Sequence, residues 1–336
     1  MNIIIPMAGL GKRMRPHTLT TPKPLIPIAG KPMVQRIVED IIAGASEKVV
    51  EVVFVINPAF GKEVEELLLK VADSLGTKGK IAYQEKPLGT AHAILAAGDS
   101  LSGPVFVAFA DTLFKADFKI DPARDAIIWT QKVDDPSAFG VVKLREDASI
   151  EAFVEKPVTF VSDLAIIGMY YFEDGARLRR EMQRLLDENI QDKGEYQLTD
   201  AMDHMLKNGV KFYTDQVEEW LDCGNYSATV FTAGRIMAIK QAAGEKLQAD
   251  SVTLENATII QPCFLGENVI VRNSVVGPNV SLEKGSMVEN ARVSDTIVGE
   301  NSVVKNTVIT TSLLGKFVNY SESPHIVSLG DYSTQS

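Results

Sequence analysis

The 336-residue chain has only two cysteines, Cys223 and Cys263. Two are too few for a disulfide framework or a four-ligand zinc site, so a reducing, cytoplasmic setting is expected. No apolar run approaches the roughly 20 residues that a membrane helix requires, and no membrane partner is expected. The apolar start, Met1 to Pro6, has no basic stretch before it and no cleavage-site pattern after it, so secretion is not expected either. The histidines, His17, His92, His204 and His325, are scattered and complete no triad or metal cluster. Acid is missing from the N-terminal segment. Six basic residues (Lys12, Arg13, Arg15, Lys23, Lys31 and Arg36) precede the first carboxylate, Glu39. The whole chain carries a net charge of −10, which excludes nucleic-acid binding through the global field. A basic start on an acidic chain reads instead as a local anion site.

What is present is globular: hydrophobics at 45% and charges at 23% exclude a disordered chain. Residues 2–7 read as a buried strand, followed by a Gly/Pro-punctuated segment to Pro32. Periodicity predicts helices over 33–43, 60–75, 90–98, 175–189, 197–207 and 226–247. Strands are predicted over 49–57, 81–84, 105–110, 126–133, 139–144, 150–155 and 165–172. Short apolar strands alternating with helices predict an α/β domain, a Rossmann-like, mostly parallel sheet flanked by helices.

The tail is poor in aromatics. Phe264 is the only one between Ser251 and Lys316, and helical periodicity is absent there. Aliphatic residues fall into three columns instead. Leu265, Leu282, Val298 and Leu314 are spaced 17, 16 and 16; Val271, Val288 and Val304, like Val276, Val293 and Ile309, are spaced 17 and 16. Three columns in step predict a three-sided coil that sends one aliphatic inward from each side and buries a continuous core only when coils stack. The pattern resembles the hexapeptide-repeat left-handed β-helix, and the handedness is implied by that resemblance alone. The expected domains are therefore 1–248, catalytic; 249–325, repeat; and 326–336, a C-terminal tail.

The loop after the first strand reads Ala8-Gly9-Leu10-Gly11-Lys12-Arg13-Met14-Arg15-Pro16. Glycines let backbone N–H groups approach phosphate closely. A dinucleotide fingerprint would need glycine at Met14, and a P-loop would need Ser or Thr at Arg13, so neither scheme applies. From Met7 to Met33 the sequence resembles the signature of the sugar-1-phosphate nucleotidyltransferases, also called nucleoside-diphosphate-sugar pyrophosphorylases. The likeness continues at Leu88-Gly89-Thr90-Ala91-His92-Ala93, Phe139-Gly140-Val141-Val142, Phe153-Val154-Glu155-Lys156-Pro157, Gly168-Met169-Tyr170 and Trp220-Leu221-Asp222-Cys223-Gly224. These motifs run in family order across about 1–225, and several branches of the family carry a repeat tail.

The resemblance implies transfer of a nucleotidyl group to a sugar 1-phosphate with release of pyrophosphate. Both reactants are polyanions, which Arg13 can grip with a planar fork and Lys23 with a point charge. Asp111, closing an apolar strand, suits Mg²⁺, a hard cation that needs few carboxylates; Asp222 is the second metal carboxylate by resemblance. Ala8, Gly9, Gly11, Lys12, Gln84, Gly89 and Thr90 are expected at the nucleotide. Gln84 offers both a donor and an acceptor to the edge of uracil or thymine. Gly140, Glu155, Lys156 and Ile167 are expected at the sugar phosphate. Ile167 stands where some members carry a polar residue facing the sugar, and Lys12 where many carry threonine. The expected reaction uses dTTP or UTP with glucose 1-phosphate. A mannose-1-phosphate guanylyltransferase, an N-acetylglucosamine-1-phosphate uridylyltransferase and a non-catalytic regulatory subunit remain alternatives. A homo-oligomer built through the repeat tail is expected.

Overall fold

The computed structural model describes residues 1–116 and 119–323. His325 and the expected tail 326–336 lie outside the described residues. The chain divides into two compact units, Met1–Ile26 with Pro32–Gly224, and Pro27–Lys31 with Asn225 onward. The division at Gly224 thus precedes the last helix, where the sequence suggested a boundary after it, near 248.

The first unit is a mixed sheet with helices. Its strands are β1 (Asn2–Pro6), β2 (Glu51–Ile56), β3 (Lys78–Tyr83), β4 (Val105–Ala108), β5 (Thr112–Lys115), β6 (Ala126–Lys132), β7 (Gly140–Leu144), β8 (Ile150–Glu155), β9 (Leu164–Phe172), β10 (Phe212–Gln216) and β11 (Glu219–Asp222). The main sheet runs β8-β7-β9-β4-β1-β2-β3, and β6 pairs with both β9 and β10. The stretch β3-β2-β1-β4 is parallel, whereas β9 runs antiparallel to β4, β6 and β7. Its parallel centre explains the unbroken apolar runs: Ile3, Ile4 and Ile5, like Val52 through Ile56, are buried on both faces.

Helices α1 (Met33–Gly44), α2 (Lys62–Ser74) and α3 (Thr90–Leu95) lie between the parallel strands; α4 (Gly175–Asp187) and α5 (Leu198–Lys207) follow β9. In α1 one stripe, Met33, Val34, Ile37, Val38 and Ile41, is buried. Helix α4 is capped by the Asp174 carboxylate, which accepts from the Arg177 N–H at 2.9 Å. Three strands went unpredicted: β5, β10 and β11. Strand β10, Phe-Tyr-Thr-Asp-Gln, is too polar to declare itself.

After Pro27–Lys31 the second unit continues with α6 (Tyr226–Ala242), which starts at an Asn225 cap and ends before the expected 247. Beyond it the chain winds through three parallel ladders per turn. One ladder stacks 253–255, 270–272, 287–289, 303–305 and 319–321. The other two place Val276 on Val293 on Ile309, and Leu265 on Leu282 on Val298 on Leu314. Every expected column is therefore a register column, and Leu265, Val271, Leu282, Val288, Val293 and Val304 are fully buried. At one corner Asn256, Asn273, Asn290 and Asn306 all adopt positive φ and link side chain to side chain at 3.0–3.2 Å. Asparagine tolerates that conformation better than most residues, which explains its recurrence in the tail. Among the described residues no helix is long and apolar enough to cross a membrane.

Candidate active site

Open α/β sheets bind ligands beyond the carboxyl ends of their parallel strands. Here a cleft of about 420 Å³ opens at that edge of the first unit. Its walls come from the loop after β1 (Ala8, Gly9, Gly11, Lys12 and Arg13), from Lys23, from the turn after β3 (Gln84, Gly89 and Thr90) and from Asp111 after β4. The structure thus gathers all ten of these sequence-predicted residues around one cavity.

The two cations differ in their settings. Lys23 is buried, and its Nζ lies 2.7 Å from Asp111 Oδ2. Arg13 and Lys12 are exposed on the short 3₁₀ turn Lys12–Met14. Arg13 therefore has its guanidinium available for a solvated anion, while Lys23 is anchored to a carboxylate at the cleft floor.

Asp222 joins this group through strand pairing. Strand β11 runs antiparallel to β5, setting Asp222 opposite Thr112, and the Cys223 N–H donates to the Asp111 carbonyl at 3.0 Å. Burial pushes the Asp222 carboxyl above the usual carboxylate range and the Asp111 charge adds to the push, while the Gly224 N–H, Lys23 and Arg13 oppose it. The burial and neighbouring negative charge that oppose ionisation of Asp222 would be offset by a divalent cation. No cluster of three or more His, Cys, Asp or Glu side chains is placed to hold a metal among the described residues. A carboxylate pair such as Asp111 and Asp222 would suit a hard cation that keeps waters or takes phosphate oxygens, such as Mg²⁺.

The residues expected at the sugar phosphate form a separate group. Gly140 pairs with Glu155, whose Oε2 lies 3.0 Å from where a Cβ on Gly140 would stand. Lys156, at φ +42°, donates its N–H to the Phe139 carbonyl at 3.1 Å and reaches Glu155 Oε1 with Nζ at 3.3 Å. Ile167 is only 2% exposed and its carbonyl accepts from the Thr112 hydroxyl at 2.8 Å. Its side chain is buried in the core, and its carbonyl holds Thr112, the residue after Asp111.

Two further positions went unread in the sequence. Glu195 lines the cleft, and Tyr196 sets the turn across from it. A Cβ on Gly89 would stand 2.4 Å from the Tyr196 carbonyl oxygen, so only glycine, here at φ +115°, allows this approach. The Tyr196 carbonyl accepts from the Ala91 N–H, and the Thr90 hydroxyl accepts from the Leu198 N–H at 2.9 Å. Thr90 thus spends its hydroxyl on structure. Glu195 sits in a polar stretch before α5 where no spacing or periodicity marks it.

Residues 2–235 match the nucleotidyl transferase family. A glucose-1-phosphate thymidylyltransferase of Streptomyces griseus is 26% identical, over 99% of this chain and 98% of its own. The bifunctional protein GlmU of Methanococcus maripaludis is 30% identical over 98% of this chain and 84% of its own. A rice protein described as a probable mannose-1-phosphate guanylyltransferase is 29% identical over 94% and 86%. Among solved structures, a Bacillus anthracis chain assigned as a glucose-1-phosphate thymidylyltransferase superposes with a TM-score of 0.59 at 22% identity, over 70% of this chain and 94% of that one. That likeness concerns the fold.

Proposed function

Because the chain belongs to the nucleotidyl transferase family, we propose that it is a Mg²⁺-dependent sugar-1-phosphate nucleotidyltransferase that uses dTTP or UTP and glucose 1-phosphate. A phosphate oxygen of the sugar attacks the α-phosphorus of the triphosphate. A new P–O bond forms, the bond to the β-phosphate breaks, and pyrophosphate leaves with the electron pair.

The observation that carries this reading is the joint placement of Lys23, Asp111 and Asp222 beside the glycine loop. Asp111 and Asp222 would hold Mg²⁺, which when bound neutralises phosphate charge and orients the attack. Arg13 forks two hydrogen bonds onto phosphate oxygens, and each charge-assisted bond is worth about 1.5–3 kcal/mol. Lys23, fixed by its ion pair, presents its remaining N–H donors without further reorganisation, which favours the transition state over the ground state. Glu155 and Lys156 are proposed at the sugar hydroxyls and the sugar phosphate. A regulatory subunit without catalysis would have no need of this constellation, which is intact. We further propose that the protein works in the cytoplasm as a homo-oligomer assembled through the repeat unit.

Pyrophosphate release measured over dTTP, UTP, CTP, GTP and ATP, each with the 1-phosphates of glucose, galactose, mannose and N-acetylglucosamine, tests the reading. The highest kcat/KM is expected for dTTP or UTP with glucose 1-phosphate. A clear preference for GTP with mannose 1-phosphate would replace it with the guanylyltransferase alternative.

A further inference from the structure

Gln84 lies three strands along the sheet from Asp111, at the end of β3 rather than β4. At roughly 4.8 Å per strand spacing the two are about 14 Å apart, which leaves room for a nucleoside between them. Gln84 lines the cleft together with Pro87, Gly89, Thr90 and Ala93, and Glu195 lines it beside Tyr196, which packs on Gly89. Gln84 is buried and its backbone N–H donates to the Ile56 carbonyl at 2.9 Å, so its main chain is fixed.

The amide head is fixed as well. Nε2 lies 3.1 Å from the Gly89 carbonyl oxygen and 3.1 Å from His92 Nδ1. A carbonyl oxygen can only accept, so the amide nitrogen, not the oxygen, must face Gly89. The second N–H of the same nitrogen points at His92 Nδ1, which can accept it only from a neutral ring protonated on Nε2. Burial holds His92 below its ordinary pKa range, which keeps the ring neutral. Both donors are therefore consumed. Among the described residues Gln84 Oε1 accepts no hydrogen bond.

We infer that His92 is a positioning residue for base selection: together with the Gly89 carbonyl it locks the Gln84 amide so that only the acceptor Oε1 faces the cleft, and the site takes a base that presents an N–H at the centre of its pairing edge. This rests on the nucleotidyl-transfer reading, and it replaces the expectation that Gln84 both donates and accepts. The consequence is specific. A glutamine free to turn would serve uracil, with N3–H, and cytosine, with an N3 lone pair, equally well. A locked amide meets the cytosine lone pair with its own oxygen and rejects it. Sites built to hydrogen-bond a substrate group discriminate strongly against analogues that leave a buried polar group unpaired. Thymine and uracil are alike to Oε1, so the dTTP:UTP ratio does not depend on His92.

The test is the ratio of kcat/KM for UTP and CTP in the wild type, His92→Ala and His92→Asn. Asparagine carries an acceptor oxygen close to the position of Nδ1. The alanine variant is expected to lose UTP:CTP discrimination by about tenfold or more, with the change in nucleotide KM rather than kcat; the asparagine variant is expected to keep the wild-type ratio. A general loss of activity with the ratio unchanged in His92→Ala would overturn the inference, as would loss of the ratio in His92→Asn. If the wild type prefers purines, the pyrimidine reading fails separately. The same variants then answer with GTP, which carries N1–H, against ATP, which does not, and an unchanged GTP:ATP ratio in His92→Ala would overturn the role of His92.

Discussion

At the scale of the residue, the proposed chemistry depends on charge held in fixed places. Asp111→Asn and Asp222→Asn keep size and remove charge. Each is expected to lower kcat on the order of 10²-fold or more, the cost of losing one electrostatic stabiliser, with the fold intact. Steady-state kinetics at limiting Mg²⁺ with circular dichroism on the same samples checks this, and wild-type rates would contradict it. Arg13 is exposed and its planar fork has no substitute in a point charge. Arg13→Lys is expected to lower kcat/KM for the triphosphate by about tenfold, as loss of one charge-assisted contact implies. Wild-type kcat/KM in that variant would remove the fork from the mechanism. Arg13 is marked in the sequence by glycines, cations and an acid-free segment that fall together, Asp111 by the end of an apolar strand, and Asp222 only by the family resemblance. Glu195 is not marked, because a carboxylate in a polar loop looks like any solvated one until the fold brings it to the cleft. Ile167 is expected at the sugar from its place in a motif, and its side chain is buried in the core.

At the scale of the element, periodicity carried most of the fold. The stripe of α1 and the three aliphatic columns of the tail appear in the structure where the spacing put them, because one buried face or one inward column imposes a strict repeat on the sequence. Strands β5, β10 and β11 are short and partly polar, and their pairing is set by distant partners that no local window contains. The most informative element is the short hairpin Pro27–Lys31, which sits among signature residues yet belongs to the second unit. There the Gly30 N–H donates to Glu283 Oε1 at 3.3 Å, and Glu283 is itself buried, accepting from the Ser281 hydroxyl at 2.7 Å. A Cβ on Gly30 would stand 2.3 Å from Phe264 Cζ, at φ +83°. Phe264, the one aromatic between Ser251 and Lys316, is thus packed on a turn encoded more than two hundred residues earlier. Gly30→Ala is expected to cost about 2–4 kcal/mol through overpacking and backbone strain. A lower melting temperature by calorimetry checks this; an unchanged one would mean that the ring yields freely.

At the scale of the whole molecule, the two units answer different needs. The first carries every charged group of the proposed chemistry. The second buries a dry aliphatic column and leaves Val308, at 73%, and Phe317, at 74%, exposed near its last described coil. Exposed strand edges and apolar groups at the end of a stack favour a cover, which is the ground for the proposed pairing with a second copy of the chain. Sedimentation velocity is expected to show a species larger than one chain, and Phe317→Asp is expected to shift it toward the single chain. A wild type that sediments as one chain at micromolar concentration would contradict the proposed oligomer.

The central claim is that this cleft joins two phosphates rather than hydrolysing one. Phosphorus NMR of the wild-type protein with Mg²⁺, dTTP or UTP and glucose 1-phosphate tests it most directly. The account predicts that the signals of a sugar-linked diphosphate and of pyrophosphate grow together in equal amounts, that both stop when Mg²⁺ is chelated, and that neither appears with Asp111→Asn on the same timescale. Triphosphate consumed without a sugar-linked product, or equal turnover by the Asp111→Asn variant, would contradict it.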